Sequence, residues 1–298
     1  MKIILLKGGL GNQLFQFCLY LELINKNHPE KVFIDNKTGF LLDFKYKRNF
    51  ELDKAISRKI LNSKFNSTLN IILLFLKKCG INKIFEMFKI KIIDDKEFIL
   101  NKKSTFINNQ QYLLFDGYFQ NFKIVDKNFS ELVKHLEPYL FKKVNNKFDN
   151  LYKKILSTKN SVALCIRFYE ESKEPGIHSL NGRNIKLSQF NKVIKEIEKE
   201  LINPHFFIFV QHTNNFTEKL NINSKFTIVS HDNGFTGSWE RLRAQSYCKH
   251  HIFNNSTFYF WGAIFSQYWE KNKKTKQVIY TSNNFVNQEI YNPEWRIF

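Results

Sequence analysis

The alternation of short apolar runs with helical stripes constrains the fold of this chain more than any other feature. Residues 161–166 and 206–210 are compact apolar runs, and between them apolar side chains recur every three or four positions from Leu187 to Leu201. Such runs predict buried strands, and such spacing predicts a helix with one apolar face. The same patterns predict strands at 226–229 and 252–253, a last strand at 278–280, and helices near 239–248 and from Thr257 onward. Strands that alternate with helices form parallel sheets covered on both faces.

The first half of the chain begins with the same kind of unit. Residues 2–24 form a strand, a glycine turn and a helical stripe, and residues 112–115 resemble a strand. A Lys- and Asn-rich stretch at 141–152 separates the two halves. A length of 298 residues suits two domains of ordinary size. The sequence therefore predicts an α/β protein with two facing Rossmann-like domains, 1–148 and 149–298.

The chain carries a strong positive charge. With 46 Lys and Arg against 27 Asp and Glu, the formal net charge is +19. A field of that sign attracts polyanions, anionic membrane surfaces and phosphorylated substrates. The basic residues are spread along the whole sequence, so charge alone does not choose among these partners. A nucleic-acid-binding protein is one alternative, although no RNA-binding aromatic signature supports it.

Cysteine spacing and hydropathy indicate the compartment. Cys18, Cys79, Cys165 and Cys248 lie far apart with no CxxC pair, which suits neither a disulfide framework nor a zinc site and fits a reducing environment. All but Cys79 fall in predicted strands or helices, so we expect them in the core. We expect no secretory signal and no spanning helix of about 20 apolar residues. The predicted location is the cytoplasm, with peripheral contact at the inner face of the plasma membrane as a variant.

Residues 69–91 form a basic amphipathic stretch. One interpretation is a surface that docks on anionic lipid, close to a lipid-linked acceptor. The other is a solvated helix that covers the N-terminal sheet. The sequence leaves both open.

The glycine turn GGLGNQLFQ at residues 8–16 is the first motif that could carry chemistry. Glycines let a backbone approach a ligand, and the amides of the next helix can face an anion. The candidate ligand contacts are Gly9, Gly11, Asn12 and Gln13. The segment is neither a P-loop nor a dinucleotide fingerprint, because the Gly-Lys-Ser/Thr and the third glycine are missing. A plain tight turn with an Asn cap is the alternative.

Two further motifs follow predicted strands in the second half. Arg167 comes directly after the run at 161–166, where a guanidinium could clamp a phosphate in bidentate fashion. A surface Arg paired with a neighbouring Glu is the alternative there. Asn255, Ser256 and Thr257 join a strand to a helix. They suit ordinary N-caps, and the same hydroxyls and amides suit a phosphate.

Taken in order along nearly the whole chain, these segments resemble the bacterial α-1,2-fucosyltransferases. GGLGNQLFQ is similar to the family's N-terminal motif. Residues 246–263, SYCKHHIFNNSTFYFWGA, resemble its C-terminal block, in which an Asn-Ser-Ser/Thr-Phe core is followed by Trp-Gly-Ala. DGYFQ at 116–120 and YNPEW at 291–295 resemble lesser elements of the family. The ordered set carries the resemblance, and no single motif would.

The chain departs from the family pattern in its middle motif. Where the family has His-x-Arg-Arg-x-Asp, the matching residues are Cys165, Arg167, Phe168 and Glu170, so only the first Arg is kept. In related fucosyltransferases that first Arg binds the donor diphosphate, and the resemblance implies this role for Arg167. The acidic residue expected just before the C-terminal block is also displaced, to Glu240.

The resemblance implies a GT-B-type fold with an acceptor-side N-terminal domain and a C-terminal GDP-sugar-binding domain. The implied reaction is inverting transfer of L-fucose from GDP-β-L-fucose to O2 of a galactose in a bacterial surface glycan of the O-antigen type. The implied donor contacts in the C-terminal domain are Arg167, Glu240, Asn255, Ser256, Thr257 and Phe258. With the glycine turn, they would stabilise the negative charge of the departing GDP.

The acceptor hydroxyl requires little further machinery. Glu170, Glu171 and Asp116 are the candidate proton acceptors, and a transition state of high oxocarbenium character would need no strong base. No Asp-x-Asp metal motif stands in a suitable loop, so we expect a metal-independent reaction with no cofactor besides the GDP-sugar. Two further alternatives are a transferase of the same fold with another donor or linkage, and a catalytically silent relative.

Overall fold

A computed structural model of the protein describes residues 1–26, 32–53, 55–56, 61, 67–81, 85, 87–100, 112–140, 142, 146–169, 184–271 and 276–298. Within these ranges the chain is an α/β protein with two sheets of parallel strands. It separates into two compact units, Met1–Tyr139 and Leu140–Phe298.

The first unit is built on a four-stranded parallel sheet in the order β2-β1-β4-β3. Its strands are β1 (Lys2–Leu5), β2 (Val32–Asp35), β3 (Ile90–Ile93) and β4 (Tyr112–Phe115). Its helices are α1 (Leu10–Lys26), α2 (Thr38–Leu41), α3 (Ser67–Lys78), α4 (Asp95–Leu100) and α5 (Phe122–Leu140). The central strands β1 and β4 are buried along their whole length, as expected for a sheet with both faces covered.

The second unit contains a six-stranded parallel sheet. Its strands are β5 (Ser161–Cys165), β6 (His205–Phe209), β7 (Lys225–Val229), β8 (His250–Phe253), β9 (Ile279–Thr281) and β10 (Arg296–Ile297). Its helices are α6 (Asn146–Ser157), α7 (Leu187–Glu200), α8 (Asn215–Glu218), α9 (Ser238–Tyr247) and α10 (Thr257–Lys271), followed by a 3₁₀ turn at Gln288–Ile290.

The strand order of this second sheet is β7-β6-β5-β8-β9-β10. From β5 the chain moves outward through β6 and β7, then returns to the other side of β5 with β8. This is the doubly wound Rossmann order, and it reverses between β5 and β8. In such sheets ligands bind outside the carboxyl ends of the strands at the point of reversal.

The second core confirms the predicted helical stripe. Phe190, Val193, Ile194 and Ile197 of α7 are buried against the apolar side chains of β5 and β6. The strands predicted at 161–166, 206–210, 226–229 and 252–253 are present with small shifts at their ends. The expectation for the cysteines is also confirmed, because Cys18, Cys165 and Cys248 are buried.

The predicted linker at 141–152 is wrong in its second part, because α6 begins at Asn146. Phe148, Leu151 and Ile155 are buried at three- and four-residue spacing on one face of this helix. The intervening Lys and Asn residues conceal that stripe in the sequence. The division between the units lies at 139/140, so residues 140–148 belong to the second unit and the predicted boundary at 148/149 falls inside α6.

Two other elements differ from the prediction. Residues 69–91 are not one helix: α3 ends at Lys78, and Gly80 then adopts a left-handed φ of 74°, which ends a helix because glycine has no side chain to clash. The chain re-enters the sheet at β3. The strand near 278–280 is not the last, because β10 pairs with β9 in parallel. No helix in the part of the chain that the structure describes is long and apolar enough to cross a membrane.

Candidate functional site

The residues that follow β5 and β8 are held together by a reciprocal pair of hydrogen bonds. The Arg167 amide donates to Asn254 Oδ1 at 2.8 Å, and Asn254 Nδ2 donates to the Arg167 carbonyl at 2.9 Å. The Asn254 side chain is only 1% exposed. Since β5 and β8 are the strands between which the sheet order reverses, this clamp lies at the expected ligand edge. No feature of the sequence distinguishes Asn254 from its neighbour Asn255 in this role.

The Arg167 side chain extends along the same edge. Its guanidinium stacks over the ring of Tyr169 at 4.9 Å, and Nη1 donates to Gln211 Oε1 at 3.4 Å. Gln211 lies just beyond the end of β6. Tyr169 has a left-handed φ of 61°, and its hydroxyl donates to the Asn255 carbonyl at 3.3 Å. Arg167 is only partly buried, so it lies at the surface of the carboxyl edge and not in the core.

The departure from the family motif at Phe168 has a packing reason. Its ring makes an edge contact with Phe216 at 5.0 Å and joins the apolar cluster around Phe190. An arginine in that apolar surrounding would bury an uncompensated charge. Glu170 and Glu171, two of the candidate proton acceptors, lie outside the described residues.

The Asn-Ser-Thr segment forms the entry to α10. Ser256 is buried, its carbonyl accepts the Phe260 amide at 2.9 Å, and Thr257 and Phe258 open the helix. The amides of a first helical turn have no partner inside the helix, and they carry the positive end of its dipole. Asn255 Oδ1 is buried without a hydrogen-bond partner in the described part of the chain. The helix amides suit an anion, whereas the Asn255 oxygen, an acceptor, suits a hydroxyl or N–H donor of a ligand.

Glu240 lies in the first turn of α9. A Cβ at Gly237, the N-cap residue, would collide with Glu240 Oε2, so the carboxylate folds back over the start of its own helix. The Glu240 carbonyl accepts the Tyr152 hydroxyl at 3.0 Å. A carboxylate at this position complements the helix dipole, which gives Glu240 a capping role in the ligand-free structure.

The carboxyl edge of the first sheet is organised around an ion pair. Lys7 follows β1 and Asp116 follows the adjacent strand β4, and Lys7 Nζ lies 2.6 Å from Asp116 Oδ1. The Lys7 ammonium also lies 5.4 Å from the centre of the Tyr118 ring. Asp95 accepts the amides of Tyr118 at 3.0 Å and Phe119 at 2.6 Å. The charge of Asp116, the third candidate proton acceptor, is therefore compensated within the unit.

Acidic neighbours also act on Tyr118. Burial raises the pKa of its phenol, and the nearby carboxylates of Asp43 and Asp95 raise it further. Tyr118 therefore stays neutral at physiological pH and can donate a hydrogen bond from this edge.

The glycine turn is fixed by two buried glutamines. Gln13 Nε2 donates to the carbonyls of Gly8 and Asn49 at 2.9 and 2.8 Å, and its Oε1 accepts the Glu51 amide at 2.9 Å. Gln16 was not among the candidate site residues, yet its Nε2 donates to the Gly117 carbonyl at 2.9 Å and its Oε1 accepts the Lys7 amide at 3.0 Å. Both amides are occupied by backbone groups, so Gln13 shapes the turn instead of facing a ligand.

The remaining residues of the turn stay candidates for ligand contact. Gly8 has a φ of 76°, and a Cβ there would fall 2.8 Å from Asn12 Nδ2, so only glycine fits. A Cβ at Gly9 would meet nothing within 4 Å, which leaves that stretch of backbone open. Gly11 is buried at the start of α1. Asn12 Oδ1 accepts Gln120 Nε2 at 3.1 Å.

Within the described ranges, no group of three or more His, Cys, Asp or Glu side chains is placed to hold a metal ion. Comparison with protein-family models gives no match to this chain, and comparison with curated proteins gives none either. The described residues form an α/β protein with two parallel sheets, the second in Rossmann order. The activity proposed below rests on the side chains at the carboxyl edges of these two sheets.

Proposed function

We propose that the protein transfers L-fucose from GDP-β-L-fucose to a glycan hydroxyl, O2 of a galactose in a bacterial surface glycan of the O-antigen type. One observation carries the proposal. Arg167 and Ser256 belong to separate sequence motifs, and both follow strands that are neighbours at the reversal point of a Rossmann sheet. Because Cys165 pairs with Phe253 in register, Arg167 and Asn255 each stand two residues beyond a matched pair. Nucleotide phosphates bind at such edges.

The proposed chemistry breaks the bond between C1 of fucose and the β-phosphate oxygen, and forms a bond from the acceptor oxygen to C1 on the opposite face. The electron pair of the broken bond leaves on GDP, and the proton of the acceptor hydroxyl passes to water as the new bond forms. We assign the stabilisation of that charge to Arg167, the Ser256 hydroxyl and the opening amides of α10 at Thr257 and Phe258. Glu240 is retained as the acidic residue of the donor site, from its place in the first turn of α9.

The first unit carries the remaining candidate contacts. Gly9, Gly11 and Asn12 offer backbone and amide groups for the donor. Asp116 and its neighbours offer the hydrogen-bonding and ring surface that sugars require. Because Lys7 holds the Asp116 carboxylate at 2.6 Å, we assign Asp116 to orientation of the acceptor hydroxyl. The reaction needs no metal in this proposal, since guanidinium and amide groups take the charge.

We further propose that α3 docks the protein on anionic lipid. Leu69, Ile72 and Phe75 are exposed at three-residue spacing on one face of this helix, and the Phe75 side chain is 64% exposed. The sequence of α3 contains no carboxylate and ends in Lys77 and Lys78. Exposed apolar residues followed by ammonium groups match the acyl and headgroup layers of a negatively charged bilayer.

A donor screen tests the proposed function. Purified full-length protein is incubated with GDP-fucose, GDP-mannose or UDP-galactose, with and without excess EDTA, and release of the free nucleotide is measured. The proposal predicts release of GDP from GDP-fucose, undiminished by EDTA and accelerated by a galactoside acceptor. Release from another donor would support the alternative transferase, and release that needs added Mg²⁺ would contradict the metal-independent mechanism. No release from any donor, with no binding of GDP, would refute the proposal.

A further inference from the structure

A second arginine lies beneath the same edge of the second sheet. Arg241, in the first turn of α9, is only 7% exposed. Its Nη2 donates to the Val210 carbonyl at 2.7 Å, and its Nη1 donates to His231 Nε2 at 2.7 Å. Val210 follows β6 and His231 lies just beyond β7, so the guanidinium sits at the carboxyl ends of these strands. Its Nε is buried without a hydrogen-bond partner in the described part of the molecule.

Among the described residues, no carboxylate lies within ion-pair distance of Arg241, and its ring partner His231 is held neutral. Burial lowers the pKa of His231, and the Arg241 charge lowers it further, so that Nε2 keeps the lone pair that accepts the guanidinium proton. A buried cation without a counter-charge lowers the free energy of unfolding unless something else supplies the charge.

The Arg241 charge reaches the centre of the edge. Burial raises the pKa of the Cys165 thiol at the end of β5, and the Arg241 charge opposes that rise. Arg167 contacts Gln211, the residue directly after Val210, to which Arg241 is bound. The two arginines thus approach one short segment, 210–211, at the edge where a phosphate is expected.

Arg243 provides an internal comparison on the same helix. It is 5% exposed, yet its Nη1 donates to the Lys142 carbonyl at 2.6 Å and its guanidinium lies 5.7 Å from the ring of Tyr152 in α6. These two contacts lie at α6 and the segment before it, not at the strand ends. Burial alone is therefore common to both arginines, whereas the position at the ligand edge belongs to Arg241.

We propose that Arg241 is a second anion-binding residue of the donor site, and that a phosphate of the bound nucleotide supplies its missing counter-charge. This inference rests on the proposed function, because it takes the edge of β5 and β6 to be the donor edge. Charge-assisted hydrogen bonds from a guanidinium to phosphate are short and strong, and a low-dielectric surrounding strengthens them. No sequence motif indicates this role.

Thermal unfolding of full-length variants tests the inference. Wild type, Arg241→Met and Arg243→Met are melted alone and with GDP, GMP, guanosine or inorganic pyrophosphate, and the Kd for GDP is measured by calorimetry. Without ligand, Arg241→Met should melt at or above the wild-type Tm, because an apolar side chain replaces an uncompensated buried charge. Arg243→Met should melt below it. Arg241→Met should also lose most of the Tm increase from GDP and pyrophosphate and bind GDP about tenfold more weakly or worse.

The outcomes separate the inference from the proposed function. If GDP stabilises wild type and Arg241→Met equally, Arg241 does not bind the phosphate, while the donor site stands. If Arg241→Met melts well below wild type without ligand but keeps the full Tm increase from GDP, the arginine is structural and the inference fails. Equal loss of the guanosine response would assign Arg241 to the base and would also overturn it. If wild type binds neither GDP nor pyrophosphate, the proposed function itself fails. Arg241→Gln replaces Arg241→Met if the latter does not fold.

Discussion

The two sheets present opposite chemistry at their carboxyl edges. At the first edge the Lys7 ammonium forms an ion pair with Asp116 at 2.6 Å, and Asp95 accepts hydrogen bonds from two backbone amides. At the second edge Arg241 is buried, and no carboxylate among the described residues forms an ion pair with it. Arg167 stacks on an aromatic ring. One edge is compensated from within, and the other carries positive charge that suits an anionic ligand.

This difference shows that a parallel sheet does not by itself choose its ligand. Both sheets place loops and helix starts at the ends of buried strands, as the geometry of parallel strands dictates. The side chains that follow those strands decide whether the edge binds phosphate or hydroxyl groups. We therefore propose that the second unit binds the diphosphate of the nucleotide and the first unit binds the acceptor.

The largest effect is expected from Arg167→Lys. An ammonium cannot reproduce the planar fork of a guanidinium, so turnover of GDP-fucose should fall about a hundredfold. Release of GDP in the presence of acceptor measures this. Arg296→Lys is the matched control, because Arg296 begins β10 and pairs with Glu200 at the end of α7, not with a residue that follows β5 or β8, so it should retain full turnover. Near-wild-type turnover of Arg167→Lys would contradict the assignment of Arg167 to the departing diphosphate.

Asp116→Asn should affect the other substrate. The amide cannot accept the acceptor hydroxyl as strongly and no longer compensates Lys7, so transfer should fall about tenfold while the Kd for GDP is unchanged. Steady-state kinetics with varied acceptor, alongside GDP titration, measures both quantities. Asp53→Asn is the control: Asp53 accepts the Tyr139 hydroxyl at 2.7 Å, and the amide oxygen that replaces the carboxylate can still accept it. If Asp116→Asn weakens GDP binding as much as Arg167→Lys does, the two edges do not bind different substrates.

Ser256→Ala distinguishes a phosphate ligand from a helix cap. As a donor contact, the hydroxyl is worth about 1 kcal/mol, so GDP affinity should fall about fivefold with little change of Tm in the ligand-free protein. Asn214→Ala is the matched control: its side chain caps α8 by accepting the Phe216 and Thr217 amides, and its loss should cost about 1 kcal/mol of stability with GDP affinity intact. If Ser256→Ala, like Asn214→Ala, loses stability while its affinity for GDP is unchanged, Ser256 is only a helix cap.

The smallest effect concerns the outer surface, where the units also differ. Phe75→Glu places a carboxylate in the apolar face of α3 and should lower recovery of the protein with anionic vesicles about threefold at low salt. Ile202→Glu is the control, because Ile202 is 82% exposed in the second unit and lies in no comparable face. Equal sedimentation of wild type with anionic and neutral vesicles would contradict docking.

The sequence predicted best where spacing alone decides the structure. The α7 stripe, the strands β5 and β6 and the start of α10 follow from apolar periodicity. The helix α6 was missed because its lysines and asparagines conceal the three buried apolar positions. The strand β3 was missed because four residues containing a central Lys carry too little periodicity.

The site was predictable only in its separate parts. That Arg167 and Ser256 follow strands could be inferred from local patterns. That those strands are adjacent could not, since β8 pairs with β5 across two intervening strands of sequence. The Asn254 clamp and the placement of Arg241 against Val210 depend on that pairing and on the packing of α9. Long-range contacts of this kind leave no mark in one sequence.

A crystal structure of the protein with bound GDP would show directly where the diphosphate binds. We expect diphosphate density outside the carboxyl ends of β5 and β8, with phosphate oxygens within hydrogen-bond distance of the Arg167 guanidinium and of Ser256. Diphosphate density at the Lys7 and Asp116 edge, or at any position that contacts neither Arg167 nor Ser256, would contradict it.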